Sequence, residues 1–174
     1  TFGELGIEIV AVTDANFSAE TQVSNIETVM AKKPDILVSI PTDATATADA
    51  YKQAAAAGIK IVFMDQRADG LEAGKDYVSV VSADNYGNGY ASGTVLGDAL
   101  GGKGKVAMVY YDANFAPTNQ RDEGFRDAMK NYPDIEIVTE QGFTDESGCA
   151  EQGDAILTQF PNIDVIYVSW DVPM

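Results

Sequence analysis

Short apolar runs alternate with longer amphipathic segments along the whole chain. Seven runs rich in Val and Ile have the length of a strand: Ile7–Val12, Ile36–Ser39, Ile61–Met64, Val78–Val81, Val106–Val109, Ile135–Val138 and Val165–Val168. Most of them lack polar alternation, which is typical of strands that are covered on both faces of a parallel sheet. The pattern therefore predicts an α/β fold with parallel sheets.

Five helix-length segments lie between the predicted strands. Apolar residues within Val23–Met30 fall on one helical face, and Ser18 before them is a candidate N-cap. Asp43 is expected to cap an Ala-rich helix that ends at Gly58, because glycine favours the left-handed conformation of helix ends. The other predicted helices are Tyr86–Leu100, Thr118–Lys130 and Ser147–Phe160.

The chain repeats one organisation. Ile7–Ser39 and Ile135–Ser169 each contain an apolar run, a helix-patterned segment, a Pro, an acidic residue and a second apolar run. Each repeat has about the length of a βαβ crossover, whereas the loop between the third and fourth predicted strands is too short for one. We therefore expect two similar lobes, residues 1–83 and 84–174, facing each other across a cleft.

Charge and hydropathy limit the partners. The formal net charge is −16, and the eleven Lys and Arg residues are dispersed, so no basic patch is available to neutralise a phosphate backbone or an anionic membrane surface. The apolar runs are strand-sized and far shorter than a bilayer span. Neither a nucleic-acid partner nor direct membrane insertion is expected.

The composition also excludes the common catalytic systems. Histidine is absent and Cys149 is the single cysteine, so Ser–His and Cys–His nucleophiles and His-containing metal sites are excluded. The glycines of Gly87-Asn88-Gly89 and Gly101-Gly102-Lys103-Gly104 flank a predicted helix and match neither the dinucleotide nor the phosphate-loop pattern. They are predicted to be turns, and no cofactor is expected.

Acidic residues leave two chemical alternatives. Asp65 and Asp171 could act as an acid–base pair, and Asp112, Asp145 and Glu146 could bind a metal ion. Hydrogen bonding to a ligand and solvated loop acids are the preferred interpretations of these two groups. No catalytic residue and no metal ligand is therefore predicted.

Ligands of open parallel sheets bind beyond the carboxyl ends of the strands. The residues in those positions are Ser39, Asp65-Gln66-Arg67, Ser82-Ala83-Asp84-Asn85, Tyr111-Asp112-Ala113-Asn114-Phe115 and Trp170-Asp171. They combine carboxylates, amides, a guanidinium and aromatic rings. Because such groups hydrogen-bond hydroxyls and pack on the apolar face of a sugar ring, the set suits a neutral polyhydroxylated ligand.

Five segments carry a family resemblance. They are Ile40-Pro41-Thr42-Asp43, Lys60-Ile61-Val62-Phe63-Met64-Asp65-Gln66, Val81-Ser82-Ala83-Asp84-Asn85, Asn119-Gln120-Arg121-Asp122-Glu123-Gly124-Phe125 and Ile166-Tyr167-Val168-Ser169-Trp170-Asp171-Val172-Pro173. In these segments and their order, the chain resembles the ribose-binding-protein-like periplasmic sugar-binding proteins of ABC importers. The resemblance implies two Rossmann-like lobes joined by a hinge, the type 1 periplasmic binding protein fold. It also implies truncation at both ends, since the N-terminal lobe lacks its first strand and helix and the C-terminal lobe its last strands and helices.

The resemblance implies ligand residues in both lobes. Asp65 matches the strand-end aspartate that binds sugar hydroxyls, and Gln66 follows it where some members carry Arg or Asn. Arg121, three residues before Gly124-Phe125, matches the ligand arginine of the second lobe. As alternatives, Asp65 could cap its own loop, and Arg121 could pair on the surface with Asp112, Asp122 or Glu123.

The second lobe also offers aromatic candidates. Trp170-Asp171 matches a strand-end pair that is usually Asn-Asp, so Trp170 is expected to stack on the sugar and Asp171 to hydrogen-bond it. Phe115 matches the pocket wall by region only, and it could instead staple the following helix. Trp170 could equally be a core residue. Asp84 and Asn85 are expected to cap a helix at the hinge without contacting the ligand.

By this resemblance, the protein binds a monosaccharide or related polyol in the inter-lobe cleft and delivers it to the membrane permease of an ABC importer. The implied location is the periplasm, or the cell exterior with a lipid anchor in a Gram-positive source. The protein is not expected to be an enzyme. Two alternatives stay open, namely the effector-binding core of a LacI-type repressor and an α/β enzyme that acts on a sugar.

Overall fold

The computed structural model describes residues 3–170. Helices α1 to α5 span Ala19–Ala31, Ala48–Ala56, Asn85–Ala99, Ala116–Met129 and Glu146–Gln159, and a short 3-10 turn lies at Gly3–Leu5. Strands β1 to β6 span Ile36–Ser39, Lys60–Met64, Ser79–Val81, Lys103–Tyr111, Asp134–Phe143 and Val165–Val168. Within residues 3–170, no helix combines the length and apolar character that crossing a lipid bilayer requires.

The chain divides after Ser82 into two compact units. The sheet of the first unit has the strand order β1-β2-β3, and the sheet of the second has the order β5-β4-β6. Every paired strand in both sheets is parallel to its neighbour. The predicted α/β class with parallel sheets is confirmed.

The prediction of a strand at Ile7–Val12 is wrong. These residues belong to no helix or strand, and the Val12 side chain is 87% exposed. A strand forms by pairing with the edge of another strand. Among the described residues, the edge strand β1 pairs only with β2, so Ile7–Val12 does not extend the first sheet. The segment lies along α1 instead, where Lys32 Nζ donates a hydrogen bond to the Val10 carbonyl at 3.0 Å.

Helices cover one face of the first sheet. Tyr51 of α2 packs edge-on against Phe63 of β2, with ring centroids 5.0 Å apart, and Ile26 of α1 belongs to the same buried cluster. The apolar residues of the opposite face are 44 to 63% exposed, namely Ile36, Val38, Met64 and Val81. The expectation of strands covered on both faces therefore does not hold for this sheet within residues 3–170.

The second sheet is covered on both faces. Along β4, Val106 and Met108 pack into one buried cluster, while Ala107 and Val109 pack into another. On the first side, the rings of Phe125 from α4 and Tyr167 from β6 stack at 3.8 Å. The uninterrupted apolar run of β4 is thus explained by its central position.

Glycines let α3 and α4 approach closely. Gly89, Gly93 and Gly97 lie four residues apart on α3, and a Cβ at any of them would collide with a residue of α4 or with Tyr132 just after it. The interpretation of Gly87-Asn88-Gly89 as a turn is therefore wrong, because these residues lie inside α3. Gly101 and Gly102 do form a turn, with φ of 65° and 79°.

The helix ends follow the predicted chemistry with one exception. Ser18 caps α1 by accepting from the Thr21 amide at 3.1 Å, and Gly58 follows α2 with φ of 88°. Asp43 does not cap α2, whose N-cap is Thr47. Its carboxylate instead accepts hydrogen bonds from the amides of Thr45 and Ala46, in the turn before the helix. The helix therefore begins later in the chain than the position of Asp43 predicts.

Candidate functional site

Asp65 occupies the carboxyl end of β2. Its amide donates to the Val81 carbonyl at 2.8 Å, and its Oδ1 accepts from the Ser82 hydroxyl at 3.2 Å. The backbone of Asp65 is left-handed, with φ of 62°, a conformation that Asp tolerates better than most residues but that still carries strain. This strained, half-buried strand end presents a carboxylate beyond the edge of the sheet.

Gln66 braces the same edge of the first unit. It is buried, and its Nε2 donates to the Pro41 carbonyl at 2.7 Å, which joins the loops that follow β1 and β2. A second glutamine supports the loop after β1, since Gln22 Nε2 donates to the Ile40 carbonyl at 2.7 Å. The carboxamide of Gln66 thus holds loop backbone in place.

Arg121 lies on α4 and is held by two uncharged acceptors. Its Nε donates to Asn85 Oδ1 at 3.0 Å, and its Nη1 donates to the Ser169 carbonyl at 3.2 Å. Neither bond goes to the acidic surface partners that the sequence analysis considered. The guanidinium is fixed at the carboxyl end of β6, directly before Trp170.

Asn85 does not have the capping role that the sequence predicted for it together with Asp84. Asp84 is the N-cap of α3 and accepts from the Gly87 amide at 2.8 Å, so the capping prediction is confirmed for Asp84. It is wrong for Asn85, which is buried inside the first turn and accepts from Arg121. The sequence carried one sign of this other role. A helix start needs a single capping side chain, and Asp84 already supplies it, so a second cap at Asn85 is not required.

Aromatic side chains gather at the same end of the second sheet. Trp170 is half-buried and packs against Tyr111 and Phe143, with both pairs of ring centroids 5.5 Å apart. Phe115 precedes α4 and meets Tyr111 edge-on at 6.3 Å. Both predicted aromatic residues thus belong to one cluster, while Asp171 lies outside the described residues.

Asp122 is a second group whose position the sequence did not reveal. It is 3% exposed, and within residues 3–170 neither its Oδ1 nor the buried Ser169 Oγ meets the geometry of a hydrogen bond with any partner. Burial raises the pKa of Asp122 to about 6, and the neighbouring Ser169 hydroxyl opposes part of that rise. An acidic residue directly after Arg121 gave no sign of burial, since helix-surface acids are common.

The predicted site residues thus fall into two sets. The first unit brings together Asp65, Gln66 and Ser82 at one sheet edge, and the second brings together Arg121, Asn85, Ser169, Trp170 and Phe115. Within residues 3–170, no three acidic or cysteine side chains cluster closely enough to hold a metal ion. Each set offers hydrogen-bond donors and acceptors.

Comparison with known proteins gives consistent relatives. A family model described as "Periplasmic binding protein domain" matches residues 1–174. The chain is 30% identical to the ribose import binding protein of Bacillus subtilis, over 76% of this chain and 41% of that protein. It is 24% identical to the ribose import binding protein of Escherichia coli, over 97% of this chain and 55% of that protein. The chain therefore spans about half the length of these curated relatives.

Solved structures agree with these relatives. An ABC transporter solute binding protein from Agrobacterium vitis, bound with alpha-D-tagatopyranose, superposes with a TM-score of 0.88 and 28% identity, covering 99% of this chain and 60% of that one. A periplasmic solute binding protein from Actinobacillus succinogenes with bound D-allose gives a TM-score of 0.82 and 31% identity, covering 99% and 62%. The chain reproduces their fold over almost its entire length.

Proposed function

The chain belongs to the periplasmic binding protein domain family, as a ribose-binding-protein-like member with the type 1 fold, and we propose that the protein it represents binds a monosaccharide or related polyol. The chain divides after Ser82 into two compact units, and each unit carries candidate ligand residues. The proposed ligand residues are Asp65, Gln66, Phe115, Arg121, Trp170 and Asp171.

The arrangement of Arg121 carries this proposal. A guanidinium has five N–H donors. Nε and one N–H of Nη1 are engaged by Asn85 and Ser169, and the other three donate to no residue in the described range 3–170. Because both acceptors are uncharged, the side chain keeps its full positive charge while its orientation is fixed. A rigid fork of donors at a strand end suits sugar hydroxyls, and its preorganisation reduces the entropy lost on binding.

The aromatic cluster supplies the apolar half of the same site. Trp170 follows Ser169 directly and is packed against Tyr111, so its ring has a defined orientation. The C–H face of a pyranose or furanose packs on such a ring, while its hydroxyls reach polar groups at the rim. Phe115 extends the cluster towards α4.

Asp65 supplies the acceptors of the first lobe. Its left-handed backbone turns the carboxylate away from the direction of β2, and strain of this kind is concentrated at functional sites. A carboxylate accepts hydrogen bonds from two or more hydroxyls, which a polyol offers and an apolar ligand does not. Gln66 holds the loop that carries it.

The relatives support transport as the biological role. The proteins from Agrobacterium vitis and Actinobacillus succinogenes, at 28% and 31% identity, are described as ABC transporter binding proteins with bound sugars. We therefore propose delivery of the sugar to an ABC importer permease, in the periplasm or at the cell exterior. The protein acts by binding and not by catalysis. No relative named above favours the repressor or the enzyme alternative.

A ligand panel tests the function. The chain is mixed separately with ribose, allose, tagatose, arabinose and myo-inositol, and thermal unfolding and titration calorimetry are recorded. We expect at least one sugar to raise the melting temperature and to be recovered unchanged, since a ligand that binds the native state stabilises it. Sucrose at equal concentration is the control for nonspecific stabilisation. Conversion of the sugar contradicts binding without catalysis, and a flat response to the whole panel contradicts sugar binding.

A further inference from the structure

Asp122 is a buried carboxyl close to the Ser169 hydroxyl. It follows Arg121 on α4, and its Oδ1 has no partner with hydrogen-bond geometry among the described residues. The buried Ser169 Oγ likewise lacks such a partner within residues 3–170, although its side chain interacts with Asp122. Burying two polar groups whose hydrogen bonding is incomplete is costly, which indicates a functional reason for keeping them.

The titratable and charged neighbours of Asp122 come from three elements. Arg121 and Arg126 share its helix, Glu140 lies on β5, and Tyr167 lies on β6. Arg126 forms a two-pronged ion pair with Glu140, so most of its charge is already compensated. Among residues 3–170, Arg121 donates only to the two neutral acceptors described above. Asp122 is therefore the nearby acid whose charge is available to balance Arg121.

The side chain of Asp122 and the side chain of Arg121 interact with the same residue, Ser169. The Ser169 hydroxyl faces Asp122, while the Ser169 carbonyl accepts from Arg121 Nη1. Trp170 is the next residue and the single Trp of the chain. A change in the charge of Asp122 thus acts on Arg121 both directly and through the strand end that carries Trp170.

We propose that Asp122 is a positioning residue of the sugar site, whose ionised carboxylate holds Ser169 and balances the charge of Arg121, so that sugar affinity rises with pH across the mildly acidic range. The inference rests on the proposed function. When ionised, Asp122 accepts a hydrogen bond from the Ser169 hydroxyl, which keeps the Ser169 carbonyl in place for Arg121. When protonated, it no longer compensates the guanidinium.

The direction of the pH effect follows from linkage. A sugar that covers Arg121 excludes water and strengthens the attraction between Arg121 and the Asp122 carboxylate. The pKa of Asp122, about 6 without ligand, therefore falls on binding, and a proton is released. A drop of one pKa unit changes affinity by at most about tenfold, an effect that is complete only well below both pKa values. With the pKa falling from about 6 to about 5, we expect roughly fivefold weaker binding at pH 5 than at pH 7.5.

Tryptophan fluorescence tests the coupling in the ligand-free chain. With excitation at 295 nm, emission of the wild-type chain is expected to change with pH around a midpoint near 6. Asp122→Asn, which keeps the shape and removes the charge, should abolish this transition. Glu123→Gln removes a neighbouring exposed charge on the same helix and should keep it. An identical transition in Asp122→Asn would overturn the proposal.

Ser169→Ala provides an independent variant. Because the hydroxyl lowers the pKa of Asp122, its removal should move the fluorescence midpoint to higher pH. An unchanged midpoint in this variant shows that Ser169 does not contact the titrating group and overturns the proposed route. Circular dichroism at pH 7.5 verifies that all three variants remain folded.

Calorimetry tests the effect on binding. Affinity for the best sugar of the panel is measured between pH 5 and 7.5, in two buffers with different ionisation enthalpies, to count released protons. The wild-type chain and Glu123→Gln should lose about fivefold in affinity at pH 5 relative to pH 7.5, while Asp122→Asn should show no pH dependence. Binding with the wild-type pH profile in Asp122→Asn overturns this inference alone. Absence of binding at every pH overturns the proposed function as well.

Discussion

Gly89 of α3 lies directly against the main-chain carbonyl of Arg121 on α4, leaving no room for a Cβ. The helix contact therefore sets the position of the residue on which we place the second-lobe ligand site. Close packing between two helices and the orientation of a ligand side chain are thereby linked through one glycine.

Replacing Gly89 should test this link. Gly89→Ala forces α3 and α4 apart, and we expect a loss of about 1–3 kcal/mol in the free energy of unfolding from overpacking. Sugar affinity should fall as well, because Arg121 moves with α4. Urea denaturation and calorimetry measure the two effects.

Gly153→Ala is the matched control for this substitution. Gly153 lies on α5 and a Cβ there meets no atom within 4 Å. Alanine is the better helix former, so this variant should gain roughly 0.5–1 kcal/mol. If both substitutions changed the free energy of unfolding by the same amount, the α3–α4 contact at Gly89 would not be too closely packed for a Cβ.

Arg121→Ala should weaken sugar binding by roughly 2 kcal/mol or more, because it removes charged hydrogen bonds to the ligand and the bond from Nε to Asn85 Oδ1. The measurement is titration calorimetry with the best sugar of the panel. Lys130 is the C-cap of α4, and its side chain is 76% exposed. Lys130→Ala should therefore leave the affinity unchanged. Wild-type affinity in Arg121→Ala would remove this residue from the site.

Two substitutions at Asp65 separate folding from binding. Asp65→Asn preserves the tolerance for a left-handed backbone, so its stability should stay near that of the wild type while sugar affinity falls by roughly 2 kcal/mol. Asp65→Ala should lose the same affinity and about 1–2 kcal/mol of stability in addition. Asp49→Ala, with its side chain 89% exposed, serves as the control. Full affinity in both Asp65 variants would contradict a ligand role.

The raised pKa of Asp122 predicts a pH dependence of stability. Its folded pKa of about 6 exceeds the unfolded value near 4, so the folded state binds more protons between these values. Stability therefore declines as pH rises from about 4 to 6 and then levels off. By pH 7.5, Asp122→Asn should be more stable than the wild type by about 2–3 kcal/mol, a gain absent at pH 4. Urea denaturation at both pH values measures this, and a pH-independent difference would contradict it.

The hydrophobic pattern alone was sufficient for most of the fold. Strands β1 and β6 agree with their predicted ranges residue by residue, and the other predicted strands after Val12 fall within one or two residues of an observed strand or inside a longer one. Local chemistry was equally informative at Ser18 and Gly58, because a cap and a left-handed helix end depend on a few neighbouring residues. Motif resemblance then pointed to the correct family.

Tertiary structure decided the rest, for a physical reason in each case. Ile7–Val12 has the composition of a strand, but strand formation depends on an adjacent edge and not on composition. Gly89 looked like a turn residue, and only the approach of α4 explains it inside a helix. Asn85 was predicted to cap a helix and Asp122 to be a possible surface partner of Arg121, whereas packing buries both residues. The sequence alone determined the elements and the family, since these follow from local periodicity and motifs. Burial, partner choice and the pKa of Asp122 depend on contacts between residues distant along the chain, which only the folded structure brings together.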